Sequence, residues 1–284
     1  HGATVRLFKY LHPDRVDVLR DKLLCFSAPA NLNDPFELRP LLKLYDSNES
    51  LLAAAEQQFG MSIQDQLDLV PPGLRPYMTP DMLEMIQGMA RQMLPAIIEA
   101  GTPGLQQHIN DSLAKALGIL CLTEQQDDLL MWAHYANAHE GFAIELDPSS
   151  DFFDRRCSPK DEFRHLRQVR YTDARPQLVM NQVTDMSAYL TKSSHWAYEK
   201  EWRMMFALAD ATEVKVFGDK QFHLFAYPAS AIRSVTLGCR MSSIKRAEIM
   251  EVLAGDRELS AVAIYETSPD EALFRLNISR VERE

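Results

Sequence analysis

Near its start the chain carries a short apolar and aromatic run, Val5 to Tyr10, and after His12-Pro13-Asp14 it places Val16, Val18, Leu19 and Leu23 at near-helical spacing. That pattern predicts a strand followed by a helix. Leu23 to Ser27 reads as a second strand, stopped by Ala28-Pro29. The following Asn31-Leu32-Asn33-Asp34-Pro35 is dense in side chains that bond their own backbone, so an ordered loop is expected there. From about Ser47 to Ala116 the period is helical, and Thr79-Pro80 and Thr102-Pro103 each set a capping residue before a proline at a first helical position. Within that stretch Met78, Met82, Met85, Met89 and Met93 recur every three or four residues, which puts them on one helix face. Such a face is expected in a core; left exposed, it would suit a partner helix or an apolar ligand, a homodimer contact being the simplest such use.

Beyond the helical stretch the period shortens. Gly118 to Thr123 reads as a strand, Asp127 to Asn137 as a helix, and Gly141 to Asp147 as a strand with Phe142, Ile144 and Leu146 on one face. Strand signals then recur at Val169 to Thr172, Tyr198 to Leu208, Glu213 to Phe217, Phe222 to Tyr227, Ile232 to Leu237, Val262 to Thr267 and Leu273 to Val281, with one helix over Ser242 to Ala254. The expected class is α+β, a mostly antiparallel sheet core with flanking helices. No repeat, low-complexity tract or flexible linker divides the chain, so residues 1–284 are read as one domain with a helical insertion at about 47–117.

With 284 residues, 46% of them hydrophobic and 25% charged, the chain can bury a full core without staples, and it falls outside the disordered and fibrous classes. Forty acidic against thirty basic residues leave a formal charge of -10, so extensive nucleic-acid binding is not expected. No apolar run approaches the roughly 18 residues that span a bilayer, and no membrane partner is expected. Cys25, Cys121, Cys157 and Cys239 lie far apart, with no CxxC and no Cys/His cluster at zinc spacing, so they read as reduced thiols of a cytoplasmic protein and no metal site is expected. The opening His1-Gly2-Ala3 reads as an added segment, and no signal-peptide apolar region follows it.

Three segments can carry chemistry, and each also has a structural reading. In Asn33-Asp34-Pro35-Phe36-Glu37 the proline fixes a turn and presents Asp34 and Glu37 beside an aromatic; the structural reading is a turn capped by its own Asn and Asp side chains. In Leu129 to Tyr135, continuing through His139, Glu140 and Gly141, His134 and Tyr135 fall near a helix end. They can stack on or bond a ligand ring, or be satisfied within the fold beside a core Trp132. Trp196 to Phe206, read as a strand, sets Glu199, Glu201 and Arg203 on one face about 6.6 Å apart, close enough for both carboxylates to act on one small ligand while Arg203 holds Glu201 ionised. The structural reading is a solvated ion pair. No Walker loop, GxGxxG helix opening, GxSxG elbow, HExxH or EF-hand occurs.

Leu7-Phe8-Lys9-Tyr10, Phe26-Ser27-Ala28-Pro29 with Asn33-Asp34-Pro35-Phe36-Glu37, Cys121-Leu122-Thr123 with Met131-Trp132-Ala133-His134-Tyr135, and Tyr198-Glu199-Lys200-Glu201-Trp202-Arg203 together resemble the bacterial domain-of-unknown-function family 2971, over about Val5 to Arg240. That family name implies no activity. The order of elements, ending in a Glu-x-Glu strand, is similar to that of ADP-ribosyltransferases and related NAD-cleaving toxins, although Lys9-Tyr10 stands where many of those enzymes carry His or Arg. This second resemblance implies NAD as substrate, Glu201 as the catalytic carboxylate and Glu199 as the group that orients or deprotonates the acceptor. On the same carry-over Tyr135 or Tyr10 stacks on nicotinamide, and Lys9, Asn33, Asp34, His134 and Arg203 complete the cofactor-binding set. A bacterial toxin or phage-defence effector is the setting it implies. Two alternatives stand beside it: a non-catalytic module or sensor for a small nucleotide-like ligand, and a metal-dependent hydrolase or nuclease using Asp34, Glu37, His134 and Glu201.

Overall fold

The computed structural model describes residues 5–59, 75, 80–182 and 186–282. From the N-terminus it forms β1 (Leu7–Leu11), α1 (Asp17–Asp21), β2 (Leu23–Phe26), β3 (Leu41–Lys43), α2 (Asn48–Phe59) and the long α3 (Pro80–Ala116). Next come β4 (Leu117–Thr123), α4 (Leu129–Tyr135), β5 (Phe142–Leu146) and four short strands, β6 (Arg167–Gln168), β7 (Arg170–Thr172), β8 (Gln177–Val179) and β9 (Thr191–Ser193). The last part holds β10 (Glu201–Ala207), β11 (Glu213–Phe217), β12 (Lys220–Ala226), β13 (Ile232–Leu237), α5 (Ser243–Gly255), β14 (Ala263–Pro269) and β15 (Leu276–Arg280). The chain is α+β.

Two compact units result, one made of His1–Leu38, Leu113–Arg175 and Tyr189–Glu284, the other of Arg39–Ser112 and Pro176–Ala188. The first is built on an eight-stranded sheet in the order β15-β14-β13-β5-β1-β4-β10-β6, antiparallel except where β14 runs parallel to β13 after the α5 crossover. Side-chain alternation explains its strength. Along β1, Leu7 and Leu11 join Leu120, Phe142 and Phe206 in the main core on one face, while Phe8 and Tyr10 join Trp132 and Ala143 on the other. With both faces covered, the strand is apolar except at Lys9. A smaller sheet, β11-β12-β2, connects to β4 through the Ser27–Ile119 bridge.

The second unit holds α2, most of α3 and the parallel pair β3-β8, so most of the stretch read as an insertion falls within it. Two expectations fail here. Thr102-Pro103 does not open a helix: α3 runs on through Pro95 and Pro103, and the Thr102 hydroxyl donates to the Ile98 carbonyl at 2.7 Å. A threonine that bonds back to the preceding turn and a threonine that caps give the same sequence signature. The methionine face is not core either. Met82, Met85, Met89 and Met93 are 40%, 58%, 55% and 55% exposed, because spacing defines a shared face without supplying a layer to cover it. Met78 and Thr79 lie outside the described residues.

Candidate functional site

The site begins at a divergence in the sheet. β1 and β4 pair at Phe8 opposite Thr123, and beyond that point the ladder stops. Lys9 spans the gap, its Nζ donating to the Cys121 carbonyl at 3.1 Å. On the other flank of β4, β10 keeps full register, with Glu201 opposite Thr123 and Arg203 opposite Cys121. A pocket of about 420 Å³ opens here, lined by β1, β4 and α4 side chains and by the Asn31–Asn33 turn. Its size is that of a small-ligand site.

Helix α4 is fixed at both ends. Asp128 Oδ1 caps it by accepting from the Leu130 and Met131 N–H groups at 2.9 Å each. Trp132 is fully buried, donates from Nε1 to the Gln126 carbonyl and meets the Tyr10 ring edge-on at 5.0 Å. These contacts hold His134 and Tyr135 against the pocket. The chain leaves the helix through Asn137, Ala138 and His139, all left-handed, and turns at Gly141, where a Cβ would run into the Leu11 carbonyl.

One wall of the pocket is a cluster of five buried charges, Glu37, Lys192, Glu199, Glu201 and Arg203, of which all but Arg203 line the cavity. Lys192, on β9, places Nζ 2.6 Å from Glu199 Oε2, 3.1 Å from Glu201 Oε2 and 3.7 Å from Glu37 Oε1. Arg203 donates from Nε to Glu201 Oε1 at 2.6 Å, from Nη2 to Glu201 Oε2 at 3.0 Å and to Glu37, and from Nη1 to the Tyr189 carbonyl at 3.1 Å. None of the five side chains is more than 5% exposed. Three carboxylates against two cations would leave one negative charge in excess, a costly state in a buried site. Tyr135 eases it, donating its hydroxyl to Glu199 Oε1 at 2.6 Å.

Burial, reinforced by Glu199 and opposed by Lys192, pushes the Glu201 carboxyl above its ordinary range. Burial works to lower Lys192, but Glu201 and Glu199 outweigh it and raise the ammonium, which stays charged. Complete burial brings the Arg203 guanidinium down to about 9, with Asp34 opposing the shift, so it too is charged at neutral pH. The Tyr135 hydroxyl is pushed up by burial and by its bond to Glu199. The Cys121 thiol is pushed up by burial and by Glu201, so it sits in the pocket wall as a neutral thiol.

Of the residues singled out from sequence, Lys9, Tyr10, Asn33, Glu37, His134, Tyr135, Glu199 and Glu201 come together in the pocket lining. Asp34 and Arg203 do not line it. Asp34 is buried in its turn, Oδ1 accepting from the Phe36 N–H at 2.9 Å, and Arg203 is wholly enclosed under Glu201. His134 places Nδ1 3.1 Å from the Tyr198 hydroxyl at the rim. The expected strand over Tyr198 to Leu208 is corrected at its start: Ser194–Glu199 is a 3-10 helix, Lys200 turns left-handed at φ 42°, and the strand begins at Glu201. The two glutamates therefore converge through a turn onto one lysine. Lys192, the hub, carried no sequence signal, since Thr-Lys-Ser matches no motif. Among the described residues, no three His, Cys, Asp or Glu side chains are grouped so as to hold a metal ion, and no helix is long and apolar enough to cross a membrane. All four cysteines are free.

Residues 131–204 match the family model for a protein of unknown function, DUF2971. The match starts in α4 and ends in β10, so it takes in His134, Tyr135, Lys192, Glu199, Glu201 and Arg203, the α4 and charge-cluster side of the pocket. It leaves out Lys9, Tyr10 and Asn33. No curated protein and no solved structure matched the chain.

Proposed function

We propose that this pocket binds a nucleotide-like ligand, NAD, and cleaves its nicotinamide–ribose bond, by ADP-ribosyl transfer or by hydrolysis. One observation carries the reading: Glu199 and Glu201 line the same pocket as Tyr10 and Tyr135, two carboxylates and two aromatic rings around one cavity. In this reaction the ribose–nitrogen bond breaks, its electron pair leaves on nicotinamide, and positive charge develops on the ribose. A fixed carboxylate stabilises that charge, and the incoming acceptor hydroxyl, or water in hydrolysis, passes its proton to solvent water as its oxygen bonds to the ribose carbon.

The geometry favours an assignment opposite to the one the resemblance implies. Both oxygens of Glu201 are held by Arg203, and Oε2 also by Lys192. Glu199 takes two donors, Tyr135 on one oxygen and Lys192 on the other, against three for Glu201, so it keeps a lone pair on each oxygen for a ribose hydroxyl where Glu201 keeps one on Oε1 alone. Glu199 is then the catalytic carboxylate, and Glu201 a positioning residue that holds Lys192 in place. The proposed setting is the bacterial cytoplasm, which suits four free thiols, as a toxin or phage-defence effector that consumes NAD.

A second reading rests on a different observation. Both carboxylates are matched to buried cations, an arrangement that also suits a sensor holding its ligand without reacting. Titrating NAD into the protein, with heat and released nicotinamide both followed, separates the two. Heat with nicotinamide release that Glu199→Gln abolishes supports cleavage. Heat without release supports the sensor, and no heat at millimolar NAD overturns NAD as the ligand of either.

A further inference from the structure

Strand β11 forms the outer edge of the sheet β11-β12-β2 and is joined to β12 by a two-residue turn, Gly218-Asp219, with Gly218 at φ 59° and Phe217 opposite Lys220. In an antiparallel ladder counted from that closing pair, Glu213, Lys215 and Phe217 exchange hydrogen bonds with β12, while Val214 and Val216 turn their N–H and C=O outwards. Among the described residues no strand pairs with this edge. It is also apolar: Val214, Val216 and Phe217 are 46%, 62% and 67% exposed. An open edge of this kind is a template for another strand.

The charges along the edge specify which strand fits. When two copies of one strand pair antiparallel about a two-fold axis, residues directly opposite share a face, so a residue must stand opposite itself at the axis. With Lys215 at the axis, two ammonium groups would face each other. With Val214 at the axis, valine meets valine through a pair of outward hydrogen bonds, and Glu213 of each copy stands opposite Lys215 of the other, which adds a carboxylate from the second copy to Asp21 and Glu213, 3.6 and 3.9 Å from the Lys215 ammonium in its own chain. We propose that β11 pairs in this register with β11 of a second copy, joining two three-stranded sheets into one of six strands. The pairing is short, so the dimer belongs to the weak end of interfaces, with a dissociation constant on the order of micromolar or above.

Sedimentation equilibrium from about 1 µM to about 500 µM tests it. The unaltered chain is expected to shift from monomer to dimer with concentration. Val214→Pro, which removes the outward N–H at the axis, is expected to stay monomeric. Glu213→Lys and Lys215→Glu are each expected to lose the dimer, by setting like charges opposite, and an equimolar mixture of these two variants is expected to regain it as a heterodimer. A chain that stays monomeric throughout overturns the proposal. So does a dimer that Val214→Pro leaves intact, and a mixture that fails to associate overturns the register.

Discussion

Lys192 is the residue on which the site turns. Its ammonium contacts three carboxylates at a buried position in the pocket wall, so removing it leaves Glu199 and Glu201 with their attraction gone and their desolvation still to be met. Lys192→Met is expected to lower stability by about 3–5 kcal/mol, read as a fall in the urea midpoint. Adding Glu199→Gln, which removes one of the stranded charges, is expected to recover part of the loss. An effect below about 1 kcal/mol would mean that the cluster reorganises or admits water. Sequence reading reached the glutamates because Glu-x-Glu-x-Arg is a pattern, and it reached Tyr10 and Tyr135 because each sits at the end of a clear element. It could not reach Lys192, whose partners lie seven and nine residues away across a 3-10 helix and a left-handed turn.

At the scale of elements, two strands were legible to the residue: Glu213–Phe217, which alternates, and Ile232–Leu237, a β-branched run buried at every position but Arg233. Boundaries set by backbone conformation were not. Nothing in the side chains of Lys200 announces that it ends one element and starts another, since its role is a positive φ that lysine adopts only at a cost. The exit from α4 concentrates that cost, with φ values of 46°, 52° and 72° at Asn137, Ala138 and His139. Alanine there has no side-chain bond to offset the strain. Ala138→Gly is expected to stabilise the protein by up to about 1 kcal/mol, while Gly141→Ala, forced against the Leu11 carbonyl, is expected to cost several times as much. Urea unfolding of both variants checks the pair. If Ala138→Gly destabilises, the left-handed run is not the conformation held in solution.

Across the whole molecule, most of the buried groups that titrate in alkali are linked to folding in one direction, with Arg203, brought down to about 9 by burial, opposing them. Tyr10, Tyr135, Tyr171 and Tyr227 have hydroxyls pushed above their ordinary value near 10, each chiefly by burial, and Lys192 is raised above 10.5 by Glu201 and Glu199 against the pull of burial. A group whose folded pKa is raised holds its proton more tightly in the folded chain. Below pH about 10 both states carry these protons and the stabilisation is fully present. Above it the unfolded chain releases them first, so stability falls with a slope that sums over all five groups. Cys25 and Cys121, raised from 9.0 by burial, begin the loss near pH 9, so the expected outcome is a melting temperature that starts to fall there and falls more steeply above pH 10. Tyr135→Phe removes one of the five groups and is expected to shallow that slope. Lys192→Met removes another, so its stability deficit against the unaltered chain is expected to narrow as the pH rises past 10.5, where the unaltered chain loses its own ammonium contribution. A melting temperature unchanged between pH 9 and 11 would mean that these hydroxyls and the Lys192 ammonium hold their protons no more tightly in the folded chain than in the unfolded one.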